Sequence, residues 1–535
     1  MLEFRKRVSL TGGEIMGNIG RGGLRIGAGR TPIEETKRKR GYQIYMTQPL
    51  YNDINEYGLG SSFSEKVSEL LSIEIRKRKA SQNRLVRFID LFAGLGGIRL
   101  GFEQAFNSAG YQTECVLTSE IKPHAIKALE TNFKHAKLVG DITQVKNEEI
   151  PDFEFLLAGF PCQAFSSAGK GHGFLDTRGT LFFEVERILK AKRPYGFILE
   201  NVEGLVLHDK ENKTDKIGRT LSTILISLKN LGYSVSWELL DSKNFGVAQS
   251  RKRIYIVGTL DNEISLEDFN KRTAICADIM ERGLPTLDTD FTRLLFNHFR
   301  PEEVYGKAIK DKRGGKNNIH SWHLGLKGDV TQEQQALLEL LLKERRKKHW
   351  AQEIGIAWMD GMPLTKDQIL TFYPYPNLQE MLDDLTKKGY LSLEHPKKIV
   401  ELPVGDGKFK KERQPDTTKP KGYNIIAGKL SFDFSKILDP NSIAPTLVAM
   451  DLSTLGIIDK DGLRRLTLRE GLRLFGYPET YDLEFFNKTN RTRQAGFDLL
   501  GNTVTTSVIK DISDRLVECF ENEELKDTRL VEQVI

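Results

Sequence analysis

A chain of 535 residues, 39% hydrophobic and 28% charged, has enough apolar side chains for a sizeable core and is too long for one compact domain, so about two to four are expected. No stretch of about 18 apolar residues occurs, and the basic, glycine-rich N-terminus lacks the apolar segment of a secretory signal, which sets aside spanning and exported classes and any membrane partner. Cys115, Cys162, Cys276 and Cys519 lie far apart with no Cys-x-x-Cys pair, which excludes a disulfide scaffold, offers no metal site and points to a reducing cytoplasm.

The net charge of +6 is unevenly spread: residues 1–87 hold 17 Lys/Arg against 9 Asp/Glu, a surplus of +8, leaving −2 for the rest. A basic front end is the electrostatic footprint of a nucleic-acid partner. Residues 11–30 contain eight glycines with Arg21, Arg25 and Arg30, followed by Lys37-Arg38-Lys39-Arg40, so residues 1–40 are expected to be a flexible cationic arm. Tyr42 to Thr47 alternates as a strand should, with Gln43, Tyr45 and Thr47 on one face. Leu50, Ile54 and Tyr57 then fall on a helix stripe that Gly58 and Gly60 stop. A second helix begins at a Ser61 or Ser62 cap and is expected to bury Phe63, Val67, Leu70 and Leu71. Residues 41–80 thus resemble the ribbon-helix-helix DNA-binding family, whose strands pair across a dimer and enter the major groove. The resemblance implies that Gln43, Tyr45 and Thr47 face bases and that the chain dimerises through this β-α-α unit; a plain packing appendage is the alternative.

From about Val86 buried strands alternate with helices: Val86 to Leu91, Glu114 to Ser119, Phe153 to Ala158, Gly196 to Leu199 and Arg253 to Val257. That alternation predicts an α/β, doubly wound, Rossmann-like sheet over 86–260, completed by 496–520. Between 261 and 495 the alternation gives way to charged, Trp-containing and Pro-punctuated sequence, read as an inserted mixed domain. Within it Leu364 to Leu393 reads helix, helix, basic turn, faintly like a winged helix, although ordinary helical filler explains it better.

Phe92-Ala93-Gly94-Leu95-Gly96-Gly97 puts a glycine turn between a strand and a helix, where a cofactor can approach the backbone. Arg99 stands where a dinucleotide fingerprint needs its third glycine. Glu120 ends the next strand, suited to the hydroxyls of a ribose, with Ile121 beside it. Asp141 and Ile142 follow the third strand position, suited to an adenine amino group. Gly159-Phe160-Pro161-Cys162-Gln163 holds a cysteine behind a proline at a strand end, ahead of glycines at 169, 171, 173 and 179 that suit a mobile lid. Glu200-Asn201-Val202 projects a carboxylate from an apolar wall, and Gln249-Ser250-Arg251-Lys252-Arg253 supplies two guanidinium groups suited to a base carbonyl and a phosphate.

These residues together resemble the DNA (cytosine-5)-methyltransferase family over roughly 86–260 and 464–520. The glycine loop, Pro161 to Gln163, Glu200 to Val202 and Gln249 to Arg253 match its motifs in order. So do Asp176 to Phe183, Arg465 to Glu470 with Phe475 to Pro478, and Gly501 to Val504. Leu468 departs from the family, which usually has proline there. The resemblance implies S-adenosylmethionine as cofactor, held by the glycine loop, Glu120, Ile121, Asp141, Ile142, Pro161, Leu181, Asn502 and Thr503. It also implies double-stranded DNA as substrate, a target cytosine swung out of the helix, a lid at 166–179, target recognition by the inserted region, and a partner restriction endonuclease acting on the same site.

The chemistry asks for the same groups. Carbon 5 of cytosine is a poor nucleophile until another nucleophile adds at carbon 6, a role for Cys162 as thiolate. Glu200 would protonate the ring nitrogen, and Arg251 and Arg253 would hold the pyrimidine carbonyl and nearby backbone. A stacked base is out of reach, so the base must flip. Lys312-Arg313-Gly314-Gly315-Lys316-Asn317-Asn318 suits phosphates and base edges, or is a solvated loop. Two readings compete: methylation of transfer RNA by the same fold, and a sequence-specific repressor with a vestigial catalytic domain. The long inserted region and the intact Cys162, Glu200, Arg251 and Arg253 disfavour both.

Overall fold

The computed structural model describes residues 6–9, 43–46, 48–57, 61–68, 71 and 84–534, apart from 135–136, 162–180, 213, 261, 312–316, 404–408, 427–431 and 449–451. It divides into two compact units, residues 1–85 with 110–112 and the remainder.

In the first unit, strand β1 (Lys6–Ser9) pairs antiparallel with β2 (Gln43–Met46), Lys6 opposite Met46 and Ser9 opposite Gln43. Helix α1 (Gln48–Tyr57) follows. A second helix, residues 63–68, starts where expected: the Ser62 hydroxyl accepts from the Glu65 amide at 3.3 Å, and Glu65 reaches back to the Ser61 and Ser62 amides. The strand expected to pair across a ribbon-helix-helix dimer is paired here with residues 6–9 of its own chain. Val67 is buried and Phe63 stacks on Tyr51 at 4.5 Å, but Leu71 is exposed, and Leu70 and Thr47 lie outside the described residues.

The second unit is built on a seven-stranded sheet in the order β5-β4-β3-β6-β7-β9-β8. Its strands are β3 (Leu85–Leu91), β4 (Gln112–Ser119), β5 (Leu138–Val139), β6 (Phe155–Ala158), β7 (Gly196–Val202), β8 (Ser234–Asp241) and β9 (Lys252–Thr259). β3, β6 and β7 run parallel, whereas β9 runs antiparallel to both β7 and β8. The central strands are apolar on both faces because both are covered. Against one face, helices α4 (Leu181–Lys192) and α5 (Arg219–Asn230) bury Phe182, Ile188, Ile224 and Leu228 on Ile89, Leu156 and Leu199. On the other, α2 (Gly97–Ser108) brings Phe102 and Phe106 within 5.2 and 5.1 Å of Phe155. Helix α3 (Pro123–Asn132) follows β4.

The inserted region contains α6 (Asp290–His298), β10 (Ala308–Ile309) and β11 (Asn318–Ile319), then α7 (Gln332–Glu344), α8 (Lys348–Ile354), α9 (Lys366–Leu370) and α10 (Leu378–Lys387). Strands β12 (Leu391–Glu394), β13 (Lys397–Pro403), β14 (Phe409–Pro415) and β15 (Gly422–Ile425) come next. β16 (Lys436–Ile437), β17 (Leu455–Asp459) and β18 (Gly462–Arg465) close a five-stranded sheet with β10 and β11.

The chain returns through α11 (Leu468–Leu474), α12 (Asn490–Asn502) and α13 (Thr506–Val534). α13 lies on α2 so closely that a Cβ on Gly101 would stand 2.5 Å from the Thr506 carbonyl oxygen. Leu466, Leu472, Phe497 and Leu500 share one core with Leu95, Ala125 and Ala128. The same core takes in Cys276, Ile279, Leu438 and Leu455, so it runs across the expected boundaries at 261 and 495. Leu468 is also explained: it is the first residue of α11 after the Thr467 cap, which accepts from the Glu470 amide at 3.0 Å, and proline suits that position because its amide would be unpaired anyway.

Candidate active site

A cavity of about 340 Å³ opens at the edge of the sheet where β3, β6 and β7 end. In doubly wound sheets this edge, beside the point where strand order reverses between β3 and β6, is where ligands bind. Phe92 and Gly94 line it from the loop after β3, Glu120 and Ile121 from the end of β4, and Asp141 and Ile142 from beyond β5. Gly159 to Pro161 come from the end of β6, Leu181 from α4, Glu200 to Val202 from β7, and Asn502 from the end of α12. Nine of the fourteen expected cofactor residues therefore meet in one place.

The loop after β3 needs left-handed backbone at Phe92 (φ 56°), Gly94 (φ 57°) and Gly96 (φ 69°), and glycine supplies two of these without strain. Where Gly94 would carry a Cβ there is open space. Its amide donates to Glu120 Oε2 at 2.8 Å, and Glu120 Oε1 accepts from the Ile121 and Lys122 amides at 2.9 Å each. Three backbone donors thus fix a buried carboxylate whose remaining lone pairs face the cavity. Asp141 caps the following turn by accepting from the Thr143 amide at 3.0 Å.

The antiparallel β9 determines the opposite wall. Its beginning lies beside the end of β7, with Val202 opposite Arg253 and Glu200 opposite Tyr255. Cross-strand and diagonal neighbours share a face, so the Arg253 guanidinium reaches Glu200, Nε to Oε1 at 3.1 Å. Arg253 Nη1 donates to the Lys252 carbonyl at 2.8 Å, and among the described residues Nη2 has no acceptor. Glu200 Oε2 lies 3.7 Å from where a Cβ would stand on Gly159, three residues before Cys162. Burial raises the Glu200 carboxyl above the ordinary range, against the opposing pull of Arg253 and Arg251. Asn201 Nδ2 donates to the Phe160 carbonyl at 3.1 Å, tying β7 to the segment that leads to Cys162.

Arg251 turns its guanidinium to backbone carbonyls of the protein itself. It is buried, with Nη1 donating to the Leu447 carbonyl at 2.8 Å and Nη2 to the carbonyls of Gly501 and Thr503 at 3.0 Å each. It clasps the returning chain on either side of Asn502 and, like Arg253, lines the cavity. Arg251→Ala should leave three buried carbonyls without their donor and lower unfolding stability by about 3 kcal/mol, read as the urea midpoint. Arg253→Ala should move that midpoint little and reduce kcat/KM.

Five expected cofactor residues do not line the cavity. Leu95 is buried in the core, Gly96 caps α2 with its backbone, and Ala93 donates its amide to the Ser119 carbonyl at 3.1 Å. Gly97 makes room for Tyr477, whose hydroxyl would lie 2.7 Å from an added Cβ. Thr503 turns its hydroxyl to Tyr477 at 2.5 Å. Lys122 and Gly501 line the cavity without having been expected. Lys122 stands alone in Leu117 to Pro123 and had no signal of its own, whereas Gly501 opens the stretch to Val504 that resembles the family's last motif. Cys162, Gln163, the lid from 166 to 179 and most of Lys312 to Asn318 lie outside the described residues. Among those described there is no cluster of metal-ligating side chains, and no helix is long and apolar enough to cross a membrane.

An α/β sheet with its seventh strand reversed, a glycine loop, two carboxylates at successive strand ends and an acid paired with arginine define a group-transfer enzyme that takes a nucleotide-like cofactor. The chain belongs to the C-5 cytosine-specific DNA methylase family, whose model matches residues 86–518. It is 56% identical over 432 residues to the Type II methyltransferase M.NlaIV of Neisseria lactamica, covering 81% of this chain and 99% of that protein. M.NgoBV of Neisseria gonorrhoeae matches at the same identity and coverage. M.HgiCI of Herpetosiphon aurantiacus is 40% identical over 469 residues, 82% of this chain and all of that protein. The protein is a DNA (cytosine-5)-methyltransferase that uses a methyl-donating cofactor.

Proposed function

We propose that the chain methylates carbon 5 of a cytosine flipped from a defined duplex sequence, with S-adenosylmethionine as donor, and protects host DNA from an endonuclease of the same specificity in a bacterial or phage cytoplasm. The Glu200–Arg253 pair, set beside the segment that leads to Cys162, carries the reading.

The cavity suits the donor's chemistry: Glu120 is held rigidly enough to accept from ribose hydroxyls, Asp141 is exposed to an adenine amino group, and the bare Gly94 backbone permits close approach. When bound, S-adenosylmethionine supplies a methyl group on positively charged sulfur. Cys162 adds its thiolate to carbon 6, and the electron density pushed through the ring reaches N3, where Glu200 delivers a proton. Arg253 holds the pyrimidine carbonyl with the guanidinium edge that Glu200 leaves available. Asn201 and Arg251 act through others, fixing the Cys162 segment and the end of α12.

Single-molecule sequencing of genomic DNA from a host expressing the chain tests this. The expected result is 5-methylcytosine at nearly every copy of one short sequence and none in an empty-vector host. Modified transfer RNA with unmodified DNA would overturn it.

A further inference from the structure

The inserted region contains a unit with its own core, in which Leu337, Leu341, Leu382, Leu385, Tyr390 and Ile425 pack together. Its order is α7, α8, a bridging strand residue, α9, α10, β12, the β13–β14 hairpin and β15. Leu364 pairs antiparallel with Tyr423, and β12 pairs antiparallel with the same strand, Leu391 opposite Ile425. Set α8 aside as an addition, and the other three helices, a three-strand sheet with the returning strand in the middle, and a hairpin between its last two strands are the topology of a winged helix, with β13–β14 as the wing.

In many winged helices the last helix enters DNA, but here the outward face of α10 carries Glu380 and Asp383 against a single Lys387, a net negative face that disfavours phosphates. The wing has the opposite character. From Lys397 to Pro415 it holds six Lys/Arg against three Asp/Glu, and none of its described residues is buried. A two-stranded ribbon that buries neither face gains little by itself. Its root is anchored by Arg413, which donates to the Trp358 carbonyl at 2.9 Å. Register places Lys398 and Lys410 on one face and Lys411 on the other. Their partners are side chains of the unit itself: Asp416 at 3.2 Å, Glu412 at 3.5 Å and Glu401 at 3.3 Å. The three ammonium groups are at least half exposed, so these pairs are weak and exchange readily for phosphate.

We propose that this wing grips the phosphate backbone of the duplex, adding affinity without sequence information. A β-ribbon fits the major groove, and lysines on both faces reach both of its walls. The inference rests on the enzyme acting on duplex DNA. In the full-length protein, Lys398→Glu, Lys410→Glu and Lys411→Glu combined should weaken duplex binding about tenfold between about 50 and 200 mM salt and reduce the slope of log affinity against log salt by roughly 2 to 3. At saturating DNA, kcat should be unchanged. The matching Lys→Gln triple variant should lose the same slope, which separates lost phosphate contacts from damage to the fold. Unchanged affinity and slope in both variants would overturn the proposal and leave the wing to a protein partner. Methylation of the same duplex by the unmodified protein is the control that distinguishes this outcome from failure of the enzyme reading.

Discussion

Cys162→Ser should lower methyl transfer by about a thousandfold or more, because a serine hydroxyl at neutral pH is a far weaker nucleophile than a thiolate. Other cysteines offer no rescue. Burial pushes the Cys115 thiol up to about 12 and the Cys276 thiol up to about 11, which keeps both protonated and inert. Cys519 sits on α13 as the acceptor of the Tyr195 hydroxyl at 3.4 Å and does not line the cavity. Duplexes containing 5-fluorocytosine give the sharper readout, since fluorine at carbon 5 cannot leave as a proton and the sulfur–carbon bond is trapped. The unmodified protein should form a complex that survives denaturing electrophoresis and the serine variant should not. Full turnover by the variant would eliminate the covalent route.

Glu200→Gln should reduce kcat/KM by about a hundredfold and flatten the alkaline side of its pH profile. The sign follows from the environment. Burial raises the Glu200 carboxyl, so the acid holds its proton at pH values where an exposed glutamate has lost it. The protonated form is the one that donates to N3, and activity falls as pH rises through the folded-state value. Glutamine keeps a hydrogen-bond donor but has no proton to deliver, so that limb disappears. Stability gives a second check with the same sign. A carboxyl raised by folding contributes fully below its unfolded pKa, and that contribution is lost as pH climbs through the folded one. The glutamine variant should therefore melt no lower than the parent under alkaline conditions. A clearly lower Tm there would show that the carboxylate, not the acid, is the form the fold prefers.

The central strands could be read from the chain because burial on both faces makes them continuously apolar, as in Phe155 to Ala158. Ser234 to Asp241 could not: it is the edge strand β8, half-exposed, and its alternation of Ser, Trp and Glu looks like loop sequence. The reversal of β9 was equally hidden, since direction leaves no trace in composition. It decides the site nonetheless, by bringing Arg253 to Glu200. That Glu200, Glu120 and Asp141 line one cavity was legible because carboxylates ending apolar strands stand out. The backbone contacts of Arg251 could not be read, because an arginine that binds carbonyls deep in a core looks in sequence like one that waits for a substrate. The pairing of the front strand was hidden for a related reason, as nothing in β2 says whether its partner belongs to the same chain or another.

The acceptors of the Arg251 guanidinium lie 196, 250 and 252 positions further along the chain. Contacts between groups so far apart in sequence are of the kind that form slowly, so β9 and the returning segment are tied together only late in folding.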